Sequence, residues 1–329
     1  MSKNVRTDIK EQPNLSCHKR CNKDKRREIT SEDLCQGTNS VIDQLPVRCV
    51  GGWAIQKIYH LVQYFTIFAT GMKNKWEGKI NYIEICSGPG RCINRENGIE
   101  FNGTSICIVE NDASRYLNKA IFFDYNADVI RTLNARFTFR QVTNAIALEG
   151  DYNNPDKICD DIITYTKGVG LYLIFIDPTD CSVPFLLLKK LKERLKNVDF
   201  IVNFAIKTDF NRNIKNAIQS PHTHQNVTNK YRLFLGSDDF INDPQIHQAT
   251  PLELRRLFRE AYINNLRSIG FQYFDFKPIE NYYDLVFASS NQKGIEFWRK
   301  ANQIAILVHT GPPFWRILGH RSGAYRAIL

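Results

Sequence analysis

The hydrophobic pattern changes character near residue 50 of this 329-residue chain. Residues 1 to about 50 are polar, lack sustained periodicity and carry the basic run HKRCNKDKRR. Such a stretch predicts a basic, cysteine-containing arm, partly disordered or attached loosely as a cap. From Trp53 the apolar positions of WAIQKIYHLVQYFTIFATGM recur at helical spacing and stop near Gly71. The strand KINYIEIC follows at once and runs into Ser87-Gly88-Pro89-Gly90.

Beyond that turn, strand and helix alternate. TSICIVENDASRYL, ADVIRTLNARF and PDKICDDIITYT read as helices, and KAIFFD and AIALEGD as short strands between them. GLYLIFIDP and VDFIVNFAI are continuous apolar runs, as expected of strands covered on both faces, and the helix VPFLLLKKLKERL joins them. After a less regular stretch at about 207–250 come the helix PLELRRLFREAYINNLRSIG and the strands FQYFDF and YYDLVFAS. The link from Lys277 to Asn281 is too short for a helical crossover, so those last strands pair antiparallel. The pattern predicts an α/β fold over residues 51–303, a doubly wound, mostly parallel sheet with a terminal antiparallel pair. Residues 304–329, with TGPPFW, form a C-terminal extension, and no internal repeat is present.

Composition narrows the setting. At 43% apolar and 24% charged residues the chain is of ordinary globular type. No run of about 18 uncharged apolar residues predicts a spanning helix, and the first residues lack the apolar core of a secretory signal. Nine cysteines, five of them in or beside apolar segments or the glycine turn, fit a reducing cytoplasm better than a disulfide framework. A formal charge of +10 favours anionic partners, nucleic acid first.

In open parallel sheets, ligands sit beyond the carboxyl ends of the strands. Four of the expected strands end in informative residues. The first carries Glu84 and leads into Ser87, Gly88 and Gly90; the others reach Asp124, Asp151 and Asp177-Pro178. Read functionally, the glycines admit a ligand carboxylate or ribose, and Asp124 accepts from ribose hydroxyls. Asp151 then lies near an adenine edge and Asp177 near the reacting group. Read structurally, Asp, Gly and Pro end strands because they make turns. No Lys-Ser/Thr follows at phosphate-loop spacing, and the third glycine of a dinucleotide fingerprint is missing.

The E-x-x-x-G-x-G turn, a later acid and a terminal antiparallel pair together resemble the sheet of S-adenosylmethionine-dependent methyltransferases. Longer segments resemble the three-Cys-motif partner family (TcmP). They are the Trp53–Lys57 helix, YIEICSGPGR, GTSICIVE, FFDYNADVIRTLNARF, LIFIDP, VDFIVNFAIKTDFNR and YYDLVFASSNQKGIEFWRKA, spanning about residues 53–302. That resemblance implies a Rossmann-like methyltransferase fold and a separate three-Cys-motif protein as partner. The strand-end residues, taken with the likeness to the methyltransferase sheet, place S-adenosylmethionine at Glu84, Ser87, Gly88, Gly90, Asp124 and Asp151, with Asp177 and Lys57 as catalytic candidates. The chain departs from methyltransferase norms in three ways. Gly90 and Asp124 lie farther apart than the usual gap of about 20 residues. Thr179-Asp180 replaces the aromatic-glycine after Asp-Pro. Lys57, Asp177 and Lys207 could form a 2′-O-methyl-transfer set but find no glutamate to complete it.

Cys17, His18, Cys21, Cys35 and Cys49 lack zinc-ribbon spacing, and Asp24 stands where a radical-type iron–sulfur site would need its third cysteine, so no metal is expected. His222 and His224 read as solvated loop residues. Two functions follow: methyl transfer, with nucleic acid as acceptor, or a non-catalytic module holding nucleic acid or a protein.

Overall fold

The computed structural model describes residues 8–20, 34–219, 223–280 and 282–310. Cys21, His222 and residues 311–329 lie outside them, as do the side chains of His18 and Lys207.

The eleven described strands form two sheets. The larger contains β3 (Ile80–Ile85), β6 (Leu117–Asp124), β7 (Ala145–Glu149), β8 (Leu171–Ile176), β9 (Val198–Phe204), β10 (Tyr273–Ile279) and β11 (Tyr283–Ser289). Their order is β10-β11-β9-β8-β3-β6-β7. β7, β6, β3, β8 and β9 run parallel. β11 is antiparallel to both neighbours, β9 and β10, as the short link before it requires. This is a Rossmann-like doubly wound sheet with a terminal antiparallel pair. Every residue of β3, β8, β9 and β11 is buried, which accounts for their near-continuous apolar sequences.

Crossover handedness sorts the helices. α1 (Trp53–Met72) precedes the sheet, and α2 (Thr104–Glu110) and α3 (Ala127–Phe139) carry the chain from β3 through β6 to β7. α4 (Pro155–Thr166) and α5 (Phe185–Leu195) carry it back through β8 to β9. Progress along the sheet reverses between the two sets, so right-handed crossovers put them on opposite faces. α4 accordingly packs on α5, and α1 on α2. α1 also packs on α9 (Gln292–Thr310), defined after α6 (Asn211–Gln219), α7 (Gln225–Leu235) and α8 (Pro251–Ser268). α9 continues past residue 303, the boundary expected for the domain. Thr250 and Glu253 form a reciprocal capping box that starts α8.

The irregular stretch near 207–250 contains α6 and α7, which periodicity alone did not resolve. The smaller sheet explains the long gap between Gly90 and Asp124. A hairpin of β4 (Arg91–Asn94) and β5 (Ile99–Asn102) occupies it, flanked by β1 (Gln12–Pro13) and β2 (Arg48–Val50) in the order β1-β5-β4-β2. Asn97-Gly98, with Gly98 at φ +66°, was its signal in the sequence.

The described parts of the N-terminal segment are tied to this hairpin. Glu100, fully buried, accepts from Arg91 Nε (2.5 Å), Ser40 Oγ (2.5 Å), the Val41 amide (3.0 Å) and Asn14 Nδ2 (3.0 Å). Among the described residues no helix is long and apolar enough to cross a membrane.

Candidate functional site

Strand order reverses at β3, with β6 on one side and β8 on the other, and the open cavity lies beyond the carboxyl ends of these strands. The space over these strand ends, open solvent included, is about 690 Å³. Its floor is the turn Cys86–Gly90, its far wall Asp177–Thr179 and Asn203, and α1 overhangs it with Trp53 and Lys57.

The turn is built by backbone constraint. The Ser87 amide donates to the Phe123 carbonyl at the end of β6 (2.9 Å), and the Asp177 amide to the Ile85 carbonyl at the end of β3 (3.0 Å). Those bonds hold the three strand ends together. Gly88 has φ +63° and Gly90 φ +91°. A Cβ on Gly90 would stand 2.8 Å from Leu133 Cδ1 and 3.0 Å from Ile106 Cγ1, so that glycine is fixed by packing under the turn. A Cβ on Gly88 would meet only Arg48, at 3.5 Å, so its freedom serves the upper side. Cys86 also sits at φ +65°, uncommon for a residue with a side chain.

Lys57 and Asp177 meet across the cavity, with Nζ 2.6 Å from each carboxylate oxygen. Asn203 Nδ2 donates to Asp177 Oδ1 (2.8 Å) and to the Pro178 carbonyl (3.1 Å). The Lys57 ammonium lies 6.0 Å from the centre of the Tyr283 ring. Trp53 contacts Tyr282 and Tyr283 at centroid separations of 5.5 and 5.7 Å, and the Arg95 guanidinium lies 5.7 Å from the Trp53 ring.

The other expected site residues are distributed differently. Glu84 lies beneath the cavity, fully buried, hydrogen-bonded with Tyr82 Oη (2.8 Å) and Thr104 Oγ1. Burial pushes its carboxyl up to about 8, against hydrogen bonds from Thr104 and Tyr82 that favour the charged form. Asp124 is 4% exposed and lies behind the turn, where it accepts from the Gly88 amide (3.0 Å) and the Asn126 amide (3.2 Å). Asp151 is exposed, accepts from the Asn153 amide (2.8 Å) and does not line the cavity. The structure therefore brings Ser87, Gly88, Gly90, Lys57 and Asp177 to one cavity, with Glu84 and Asp124 in the layer supporting it. Asn203, Trp53, Tyr283 and Arg48 are among the other residues that line it, and nothing in the spacing of the sequence pointed to Asn203. Among the described residues no group of three or more His, Cys, Asp or Glu side chains could hold a metal.

The loop after Asp177 is anchored from outside the cavity. Asp209 accepts from the Cys181 amide (2.9 Å), Lys230 Nζ (2.7 Å) and Asn213 Nδ2 (2.7 Å). It belongs to a π-helical turn, Ile206–Phe210, that follows β9.

No family model matches the chain, and no curated protein matches it. Solved structures resemble it distantly. A Legionella pneumophila protein assigned to family DUF519 covers 79% of this chain and 94% of its own at 10% identity, with a TM-score of 0.46. M. jannaschii TYW2 in complex with AdoMet covers 78% and 84% at 8% identity, TM-score 0.36. Aeropyrum pernix fibrillarin with bound S-adenosyl-L-methionine covers 69% and 76% at 10% identity, TM-score 0.34. Likeness at this level does not carry a ligand or a reaction over to this chain.

Proposed function

We propose that this chain binds S-adenosylmethionine over the carboxyl ends of β3 and β8 and transfers its methyl group to an acceptor lying against Asp177. The observation that supports this most is the convergence of the Ser87–Gly90 turn, Lys57 and Asp177 on one open cavity where strand order reverses.

The residues present suit one end of such a ligand well. Ser87 Oγ is buried, lines the cavity and has no hydrogen-bond partner among the described residues. Gly88 carries no side chain on the upper side of the turn, where Arg48 is the nearest neighbour, 3.5 Å from the place of a Cβ. These groups suit an amino-acid-like end. At the ribose end the carboxylate of Asp124 already accepts two amides, so ribose hydroxyls would share it with Gly88 and Asn126. Bound there, the cofactor supplies a methyl carbon activated by its sulfonium sulfur.

The chain's own task is orientation. Lys57 neutralises Asp177 and holds its carboxylate, with Asn203, at the far wall, so the acceptor meets a fixed polar surface rather than a mobile charge. Nucleic acid is the acceptor class we favour. The formal charge is +10, and Tyr282, exposed and packed on Trp53, offers an aromatic face to a base. A separate three-Cys-motif protein as partner and a cytoplasmic location belong to the same proposal, supported by the sequence alone.

The second reading, a non-catalytic module holding nucleic acid or a protein, is favoured by the engagement of Asp124 with its own turn and by the position of Asp151 away from the cavity. Calorimetric titration with S-adenosylmethionine and S-adenosylhomocysteine separates the two. Methyl transfer requires saturable one-site heat. Absence of heat and of any thermal shift at millimolar ligand would sink it in favour of the module.

A further inference from the structure

Asn203 lines the cavity, is 1% exposed and is positioned by two acceptors. Its Nδ2 donates to Asp177 Oδ1 and to the Pro178 carbonyl. Only an amino group can serve both, so the orientation of the amide is settled by its neighbours. Its Oδ1 is buried and has no hydrogen-bond partner among the described residues. A buried acceptor without a donor is unfavourable, and in a cavity wall it marks a place where a ligand donor fits.

Strand order tells which ligand. The glycine turn tops β3, Asp177 tops the neighbouring β8, and Asn203 belongs to β9, with Tyr283 on β11 beyond it. Adjacent strands lie about 4.8 Å apart, so Asn203 stands about 10 Å across the sheet from the turn. A molecule seated on the turn with its reactive carbon at Asp177 leaves Asn203 and Tyr283 to a second molecule. We infer that Asn203 reads the methyl acceptor, its Oδ1 taking a hydrogen bond from an N–H or O–H of the accepting group. The inference rests on the methyl-transfer reading and adds the acceptor's chemistry: a nucleobase amine or a ribose hydroxyl is selected, and an atom that bears no polar hydrogen is not. The acceptor's lone pair forms the new C–N or C–O bond as the C–S bond breaks and its electron pair stays on sulfur. The acceptor's proton passes to water at the open mouth.

The test uses the full chain, labelled S-adenosylmethionine, and random-sequence pools of single-stranded RNA and single-stranded DNA. Products are digested to nucleosides and the methylated atom is identified by mass spectrometry. Label on an exocyclic amine in both pools identifies the base as the source of the donor, and label on a 2′-oxygen in RNA alone identifies the ribose. Label on a ring nitrogen without hydrogen, or on carbon, overturns the inference, and this readout needs no variant. Asn203→Leu should lower kcat/KM by about tenfold or more and leave S-adenosylmethionine affinity within about twofold of wild type. Wild-type transfer by that variant, or a loss explained by weaker cofactor binding, overturns it too. Failure of the underlying reading is distinct, since the wild-type protein would then give no cofactor heat.

Discussion

Lys57 and Asp177 are 120 residues apart in the chain, yet the lysine Nζ sits 2.6 Å from both oxygens of the aspartate. The pair joins the helix before the sheet to the loop beyond β8, and each side chain is only about one-seventh exposed (15% and 14%). Removing one partner leaves the other charge largely buried, with only the Asn203 amide still on Asp177 or the Tyr283 ring near Lys57. Lys57→Met and Asp177→Leu should each cost about 1–3 kcal/mol in urea unfolding, and the double variant less than the sum. Strict additivity would show that the pair does not couple these elements.

Glu84 gives the protein an unusual pH response. Its folded carboxyl is pushed up by burial to about 8, from an ordinary 4.5. Its contribution to stability is therefore fully present below about 4.5 and is lost as pH rises through about 8, at a slope of up to about 1.4 kcal/mol per pH unit. Asp199, pushed up by burial to about 6, adds the same sign at lower pH. Unfolding free energies between pH 6 and 8 isolate Glu84. In that window Glu84→Gln should flatten the decline, and an unchanged slope would mean the carboxyl is already ionised.

The two glycines of the turn should respond differently to a methyl group. Gly90→Ala meets both the left-handed backbone and the Leu133 and Ile106 side chains, and should cost about 2–4 kcal/mol. Gly88→Ala meets only the backbone strain, about 1 kcal/mol, while crowding the upper side of the turn. Gly88→Ala should thus weaken cofactor titration more than it lowers the unfolding temperature, and Gly90→Ala the reverse.

Arg136 locks the N-terminal segment to the underside of the turn. It is fully buried and donates to Asp43 through Nε (2.9 Å) and Nη2 (3.1 Å), to the Leu45 carbonyl (3.1 Å) and to the Pro89 carbonyl (2.6 Å). Asp43→Ala strands that guanidinium and should cost about 3–5 kcal/mol by urea unfolding. Faster proteolytic cleavage within residues 34–50 should accompany it. A change below about 1 kcal/mol would show that the backbone carbonyls alone satisfy Arg136.

The sheet was legible because burial on both faces leaves a direct mark. Strands such as LYLIFI and VDFIVNF cannot carry charges on either side except at their ends, and the helices between them keep a 3.6-residue period. The antiparallel end followed from loop length, a constraint that acts locally. The hairpin at Arg91–Asn102 was legible in principle through Asn97-Gly98, but its strands are four residues each and half of their partners come from residues 12–13 and 48–50.

The sequence by itself therefore determined the strands of the larger sheet, the helices between its parallel strands and the direction of the last two strands. Tertiary structure alone decided which of those strand ends share a cavity. Asp124 and Asp177 look alike in the chain, each an acid after an apolar run. One turns back to hold the Gly88 amide while the other faces Lys57. Asn203 was hidden inside a buried strand, where a polar residue has no periodic signature, and only its neighbours from β8 orient it. Local pattern reports whether a residue is buried. Which residue it meets depends on strand order, and strand order is set by contacts between positions far apart in the chain.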